Sequence, residues 1–350
     1  MITVTKKVLI VKLNRLGDTV CFLPTINIIR KAWPQAHLTL LTTNIGKELI
    51  EGSNIVDELW VADINEVKIF SGFLQWLKII KRSRFDIAIA SSDSSSFVSL
   101  LFYLSSISLR VGFTNPKLGF LFNQKIPFSA KITHLELNLQ IAKSLELPFD
   151  RDRPYPCITI PEKDKTELLD KISNNRKLSD VPFVVLHIGS NRPSHRWFID
   201  RNAEVVRFLA DKHSMKIVCV GGKEEKALVS SLRKLINNQC IIDLCSETNV
   251  KQLIYVISLA KLFIGHSSGP LHVAYMLGIP TVSLWGASSL AIWGPVFDKE
   301  KHICIKADLD CLHCEQIVCP KGTLECMKLI KADRVIGEIS KLLERNSGKN

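Results

Sequence analysis

The side chains best suited to chemistry fall in short loops that each follow an apolar run. Gly17-Asp18 follows the run at 8–13. Gly17 lets a ligand approach the backbone closely, and Asp18 could accept a proton from an attacking hydroxyl. The competing reading is that Asp18 only caps the helix that follows. Further on, HIGSNRPSHRW (187–197) carries Ser190, Arg192, His195 and Arg196. Gly221-Gly222-Lys223-Glu224 offers a turn followed by a carboxylate, and GHSSGP (265–270) supplies Ser267, Ser268 and Gly269 directly before a helix. Backbone N–H groups and the positive dipole end at such a helix start suit a phosphate. Taken alone, this unit reads equally as a plain crossover. Together the three later loops have the parts to hold a nucleoside diphosphate: N–H groups and basic side chains for the phosphates, a carboxylate for the ribose.

A second set is Cys311, Cys314, Cys319 and Cys326, with His313 among them. Four thiolates at this spacing could hold a tetrahedral zinc or iron, or serve a local packing role. Redox catalysis has no thioredoxin-like context here. The other six cysteines, at 21, 157, 219, 240, 245 and 304, read as small core residues.

These loops need strands and helices to hold them. Apolar runs at 8–13, 38–41, 59–61, 87–90 and 110–113 read as strands. They alternate with helical patterns at 20–33, 69–81, 97–104 and 135–145, so residues 1–150 are expected to form one α/β domain with a parallel sheet. Residues 151–180, opening on a proline-rich charged stretch, read as a linker region. The alternation resumes over 181–330, with strands at 184–186, 217–220, 241–244, 262–264 and 281–285. Helices are expected at 202–212, 224–236, 251–260 and 271–277, and Gly278 with Pro280 stops the last. Val335, Ile336, Ile339, Leu342 and Leu343 make an apolar stripe in a closing helix within 331–350. The expected fold is two Rossmann-like, doubly wound parallel-sheet domains facing a cleft.

The chain has 350 residues and a net charge of +12, with 46% hydrophobic and 23% charged residues. That composition is normal for a folded globular protein of two domains. The basic excess fits a solvated surface, phosphorylated substrates or an anionic membrane face. A nucleic-acid partner is not expected, because no recognition helix or aromatic–basic interleaving is present. Lys12 ends the N-terminal apolar run too early for an export signal, which points to a cytosolic chain with reduced thiols.

These motifs, in this order, resemble the bacterial heptosyltransferases of glycosyltransferase family 9. The resemblance rests on VLIVKLNRLGDTVCFLPTINIIRKAWPQAHLTLLT, RVGF, THLELNLQIAKSLELP, HIGS with HRW, VGGKEE, SSGPLHVAYMLGIPTVSLWG and WGP. It implies a GT-B fold and inverting transfer of heptose from ADP-heptose to a lipopolysaccharide core or related surface glycan, with no cofactor required for catalysis. It also implies a cytoplasmic enzyme working at the inner face of the inner membrane. Asp18 would be the general base, with Arg15 and Gly17 on the acceptor side. Donor contacts would fall to Ser190, His195, Arg196, Gly222, Glu224, Ser267, Ser268, Gly269 and His272. Two positions depart from the family pattern: His195 stands where Lys is common, and Ser267 where Asp is common. The alternatives are the same fold with another nucleotide-sugar or acceptor, or a non-catalytic nucleotide-sugar-binding protein.

Overall fold

The computed structural model describes residues 6–347 apart from 64, 66, 68, 116, 149–154, 157, 174–181 and 237. The chain divides into two compact units, Met1–Thr159 and Ile160–Asn350. Cys157 and much of the proline-rich stretch lie outside the described residues.

The first unit is built on six parallel strands: β1 (Lys7–Lys12), β2 (His37–Thr42), β3 (Glu58–Val61), β4 (Ile87–Ala90), β5 (Leu109–Phe113) and β6 (Gln124–Ile126), in the order β3-β2-β1-β4-β5-β6. Both faces of the sheet are covered by helices, so the inner strands are continuous apolar runs. Val8, Leu9, Ile10 and Val11 are all fully buried. The helices are α1 (Leu16–Val20), α2 (Leu23–Ala32), α3 (Asn44–Ile50), α4 (Phe70–Ser83), α5 (Ser96–Leu104) and α6 (His134–Ser144). The helix expected over 20–33 starts later, at Leu23, and a separate short helix, α1, occupies the loop read before it. The break falls at Cys21 and Phe22, where Pro24 enters the first turn of α2 and cannot donate an N–H to a continuing helix. α6 opens with a capping box in which Thr133 and Glu136 satisfy each other's backbone N–H groups.

The second unit repeats the topology. Its strands β7 (Phe183–His187), β8 (Lys216–Cys219), β9 (Ile241–Asp243), β10 (Leu262–His266), β11 (Thr281–Trp285) and β12 (His302–Lys306) lie in the order β12-β11-β10-β7-β8-β9. Read from each unit's own first strand, both sheets run 3-2-1-4-5-6. The helices are α7 (Glu162–Ser173), α8 (Ile199–His213), α9 (Lys223–Leu235), α10 (Val250–Ser258), α11 (Gly269–Leu277), α12 (Leu290–Trp293), α13 (Glu325–Lys328) and α14 (Ala332–Ser347). α7 corrects the reading of 151–180 as linker. Its Leu168 and Ile172 are buried, and Lys171 Nζ donates to the Glu247 carbonyl at 2.7 Å, which ties the helix to the edge of this unit. The short strands β6 and β12 and helix α3 also went unread, being too brief or too mixed to show a period. Val335, Ile339 and Leu342 of α14 are buried in the second unit's core.

Candidate active site

In the first unit, β1 and β4 are neighbours with Val11 paired to Ala90, so the loops after them leave the sheet side by side. This is the point where strand order reverses, the place where open α/β sheets bind ligands. Asp18 does not occupy the N-cap of α1. Arg15 does, with an extended backbone, and Asp18 sits three residues on, its carboxylate accepting from the Arg15 N–H. Beside it is a set of residues that the sequence reading did not single out. Lys12, at the end of β1, is 0% exposed, and its Nζ lies 2.5 Å from Asp93 Oδ2 in the loop after β4. His134 Nε2 is 3.6 Å from the same oxygen, and Ser91 Oγ donates to Asp93 Oδ1 at 2.6 Å. Asp18, Asp93 and His134 bring oxygen or nitrogen atoms within 4.8 Å of one another.

The two carboxylates experience different fields. Burial raises the pKa of Asp18, the Lys12 charge opposes this, and the Asp93 charge adds to it, leaving Asp18 above the usual carboxylate range. Burial also works against ionised Asp93, but the Lys12 ammonium and His134 outweigh it and hold Asp93 below that range. Asp93 is thus the ion-pair partner and Asp18 the more basic carboxylate.

In the second unit the corresponding switch point lies between β7 and β10, where His187 pairs with Gly265. The Trp197 N–H donates to His266 Nε2 at 3.0 Å, linking the loop after β7 to the end of β10. Arg196 Nε donates to the Ser190 carbonyl at 2.8 Å, and its Nη2 reaches Glu224 Oε2 at 3.1 Å, so Ser190, Arg196 and Glu224 are brought together. Of the two adjacent glutamates, the Glu224 side chain is 73% exposed, whereas Glu225 is buried and accepts from the Gly222 N–H at 2.7 Å. A Cβ on Gly189 would stand 2.0 Å from Glu225 Oε1, and one on Gly221 (φ +156°) 2.5 Å from Glu225 Cγ. Those two glycines make room for the Glu225 side chain.

Ser268 is the N-cap of α11, with Gly269 and Pro270 opening the helix. Its Oγ is buried without a hydrogen-bond partner among the described residues, at a helix start, where the first amides have no acceptor within the helix and Pro270 carries no N–H. Ser267 Oγ accepts from Ser288 Oγ at 3.0 Å, tying this loop to the one after β11. His272 lies in the second turn of α11 against Trp293 and Tyr275, with ring centroids 5.8 Å and 5.9 Å away. Burial pushes His195 and His272 down to about 4 and His266 to about 3, so all three are neutral at pH 7.

The cysteine-bearing segment lies against these loops. The His313 and Glu315 N–H groups donate to the carbonyls of Gly286 (3.1 Å) and Ala287 (2.7 Å). Glu315 takes Arg192 Nη1 on Oε2 (2.6 Å) and the Ser289 N–H on Oε1 (2.6 Å), and the Ser194 N–H reaches the Ile317 carbonyl (3.2 Å). Cys311, Cys314, Cys319 and Cys326 are half-buried free thiols. Among the described residues, the close gathering of ligand atoms is at Asp18, Asp93 and His134 rather than at the sulfurs. Backbone amides of Leu324, Lys321, Thr323 and Gly322 surround the Cys319 sulfur and lower its pKa.

Two open parallel sheets of one topology, each with polar loops at its switch point, have the GT-B architecture of paired Rossmann-like units. The profile of glycosyltransferase family 9 (heptosyltransferase) matches residues 74–325, and the chain belongs to that family. It is 24% identical over 341 residues to lipooligosaccharide heptosyltransferase 2 of Campylobacter jejuni, covering 95% of this chain and 96% of the relative. A family 9 glycosyltransferase of Veillonella parvula shares the fold at TM-score 0.83 and 21% identity, covering 97% of this chain and 98% of that one. The ADP-heptose lipopolysaccharide heptosyltransferase II of Escherichia coli does so at 0.79 and 20%, covering 97% and 99%.

Proposed function

We propose that this glycosyltransferase moves a heptose from ADP-heptose to a lipopolysaccharide core or related surface glycan, with inversion and with Asp18 as general base. The observation that carries the reading is Asp18 itself: a half-buried carboxylate made more basic by burial and by Asp93, at the switch point of the first sheet. It would take the proton of an acceptor hydroxyl while that oxygen bonds to the anomeric carbon. The bond from that carbon to the diphosphate breaks in the same displacement, which inverts the centre and releases ADP. No metal takes part in this scheme. Charge on the leaving diphosphate would be met by Arg196, the Ser268 hydroxyl and the first amides of α11. Donor and acceptor class follow the names borne by the Campylobacter and Escherichia relatives.

Replacing Asp18 with Ala is expected to abolish transfer while ADP binding stays near wild type. Unchanged transfer would remove Asp18 from the mechanism. A second reading, another nucleotide-sugar or acceptor on the same site, draws on His195 and Ser267 at positions where the family commonly carries Lys and Asp. A thermal-shift panel of ADP-, GDP- and UDP-sugars separates the two, since a bound ligand stabilises the fold by mass action. If neither reading holds, donor will bind but no acceptor will turn over, as for a nucleotide-sugar-binding protein.

The four cysteines are the candidate for a structural zinc or iron. What supports it is the ring of amides around Cys319, a setting that favours thiolate and so a metal ligand. Such an ion would brace the loops that carry Arg192 and Ser289 and would take no part in transfer.

A further inference from the structure

A proton taken by Asp18 must leave it before the next turnover, and the groups whose charges act on that carboxylate differ in their capacity to accept one. Lys12 and Arg15 carry their protons already. Asp93 is held ionised by the Lys12 ammonium at 2.5 Å and by the Ser91 hydroxyl at 2.6 Å, so it is a poor acceptor. Cys21, buried within reach of the Asp18 and Asp93 charges, has its thiol pushed up by burial and stays protonated. His134 remains, and an imidazole is ordinarily more basic than a carboxylate.

The fold holds this imidazole in place. His134 is buried and is the first residue of α6, where the Thr133–Glu136 capping box fixes the helix start. Asn138, one turn on and fully buried, donates from Nδ2 to the His134 carbonyl at 2.9 Å and accepts from the Ser92 N–H on Oδ1 at 3.1 Å. The start of α6 is thereby pinned to the loop that carries Asp93. His134 Nε2 lies 3.6 Å from Asp93 Oδ2, and a ring nitrogen and an Asp18 oxygen lie within 4.8 Å of each other. Two hydrogen bonds of about 2.8 Å through one water span roughly that distance. With Asp93 matched by Lys12, Asp18 is the carboxylate with which the imidazole can exchange a proton.

We infer that His134 is the second proton acceptor of the transfer reaction, taking from Asp18 the proton that Asp18 takes from the acceptor hydroxyl. This role rests on Asp18 being the base. In the first step the hydroxyl O–H bond breaks, its oxygen bonds to the anomeric carbon, and the diphosphate leaves with the electron pair of its own bond. The proton then sits on an Asp18 oxygen. It passes through one water to His134 Nε2, the ring keeping its other proton on Nδ1, and goes to solvent as product departs. Asp18 is ionised again for the next acceptor. His134 touches no substrate in this scheme and acts through Asp18.

His134→Gln separates this role from mere support of Asp93, because a Gln amide can still donate toward Asp93 but cannot carry a proton. With the nucleotide-sugar and acceptor that support transfer, kcat should fall about tenfold or more, while KM for both substrates and ADP affinity stay near wild type. His134→Ala should fall likewise and regain rate with added imidazole. It should gain little from 1,2,4-triazole, which fills the same space but is a much weaker base. Melting temperatures show which variants are folded, and should one lose its transition the other decides. A wild-type kcat in His134→Gln overturns the role, as does a His134→Ala rate that imidazole leaves unchanged or that triazole restores equally. Wild-type transfer by Asp18→Ala would remove the base itself. An inactive Asp18→Ala beside a fully active His134→Gln would remove His134 alone, so the two failures are distinguishable.

Discussion

Lys12 Nζ sits 2.5 Å from Asp93 Oδ2, in a position where the lysine has no contact with water. A buried ammonium must be paired, and two carboxylates stand near it. Asp93 takes it, with His134 on the other side of the same oxygen, and Asp18 is left without a direct salt bridge to the cation.

That division predicts opposite shifts in a pH–rate profile. A general base works ionised, so activity falls as pH drops through the Asp18 pKa, giving an acid limb. Asp93→Asn removes a charge that raises this pKa and frees Lys12, which lowers it. The limb should move to lower pH by about one unit, the scale of a neighbouring charge, and the plateau rate should fall because the base is weaker. Lys12→Met/Asp93→Asn removes both charges. Lys12 is the larger influence on Asp18, so here the limb should move to higher pH than in either wild type or Asp93→Asn. Equal limbs in all three proteins would leave the cluster a packing role only.

Donor affinity should depend on the free hydroxyl at the start of α11. Ser268→Ala keeps the helix start and removes one donor, at a cost of about 1 kcal/mol, or roughly fivefold in ADP affinity. Arg196→Gln should cost about tenfold or more, since a charged donor to phosphate is stronger. Isothermal titration with ADP measures both, and affinities unchanged in the two variants would take the diphosphate away from this loop.

The buried histidines make the second unit acid-sensitive. His187, His195 and His272 are pushed down to about 4 from an ordinary value near 6.5, chiefly by burial. The unfolded chain therefore binds more protons, and stability falls as pH drops from about 6.5 toward 4, with each such group contributing a slope of up to about 1.4 kcal/mol per unit. Urea midpoints taken between pH 7.5 and 4.5 should stay flat above neutrality and decline steeply below pH 6. A flat curve throughout would mean these imidazoles are solvated.

Anaerobically purified protein is expected to carry close to one zinc or iron per chain by elemental analysis. Cys319→Ser should lose it and lower the melting temperature, while Cys304→Ser, outside the cluster, should not. Metal-free wild-type protein with unaltered stability would assign the four thiols to packing.

The alternation of apolar runs and helical stripes was enough to read both sheets, because inner parallel strands such as 8–11 and 262–264 are apolar without interruption. What periodicity missed was short or irregular: three-residue β6, and α7, whose helical face of Leu168 and Ile172 is brief and lies beside the proline-rich stretch. At the site, loops that follow strands pointed to Asp18 and Ser268. Lys12, Asp93 and His134 were not legible, because Lys12 and Asp93 are 81 residues apart and joined only by the β1–β4 pairing, and His134 comes from the start of α6. One signal was there to be used: a lysine closing an otherwise apolar inner strand requires a buried anion. The adjacent Glu224 and Glu225 show the limit from the other side, since only the fold tells which one faces out and which is clasped by glycines.

Each half of the chain closes its own hydrophobic core, and the two halves divide between Thr159 and Ile160. An enzyme divided in this way is open to recombination. A chimera joined at that boundary, pairing this first half with the second half of a relative, should inherit its sugar preference from the second and its acceptor preference from the first. New surface glycans could then arise by exchanging halves, without rebuilding either core.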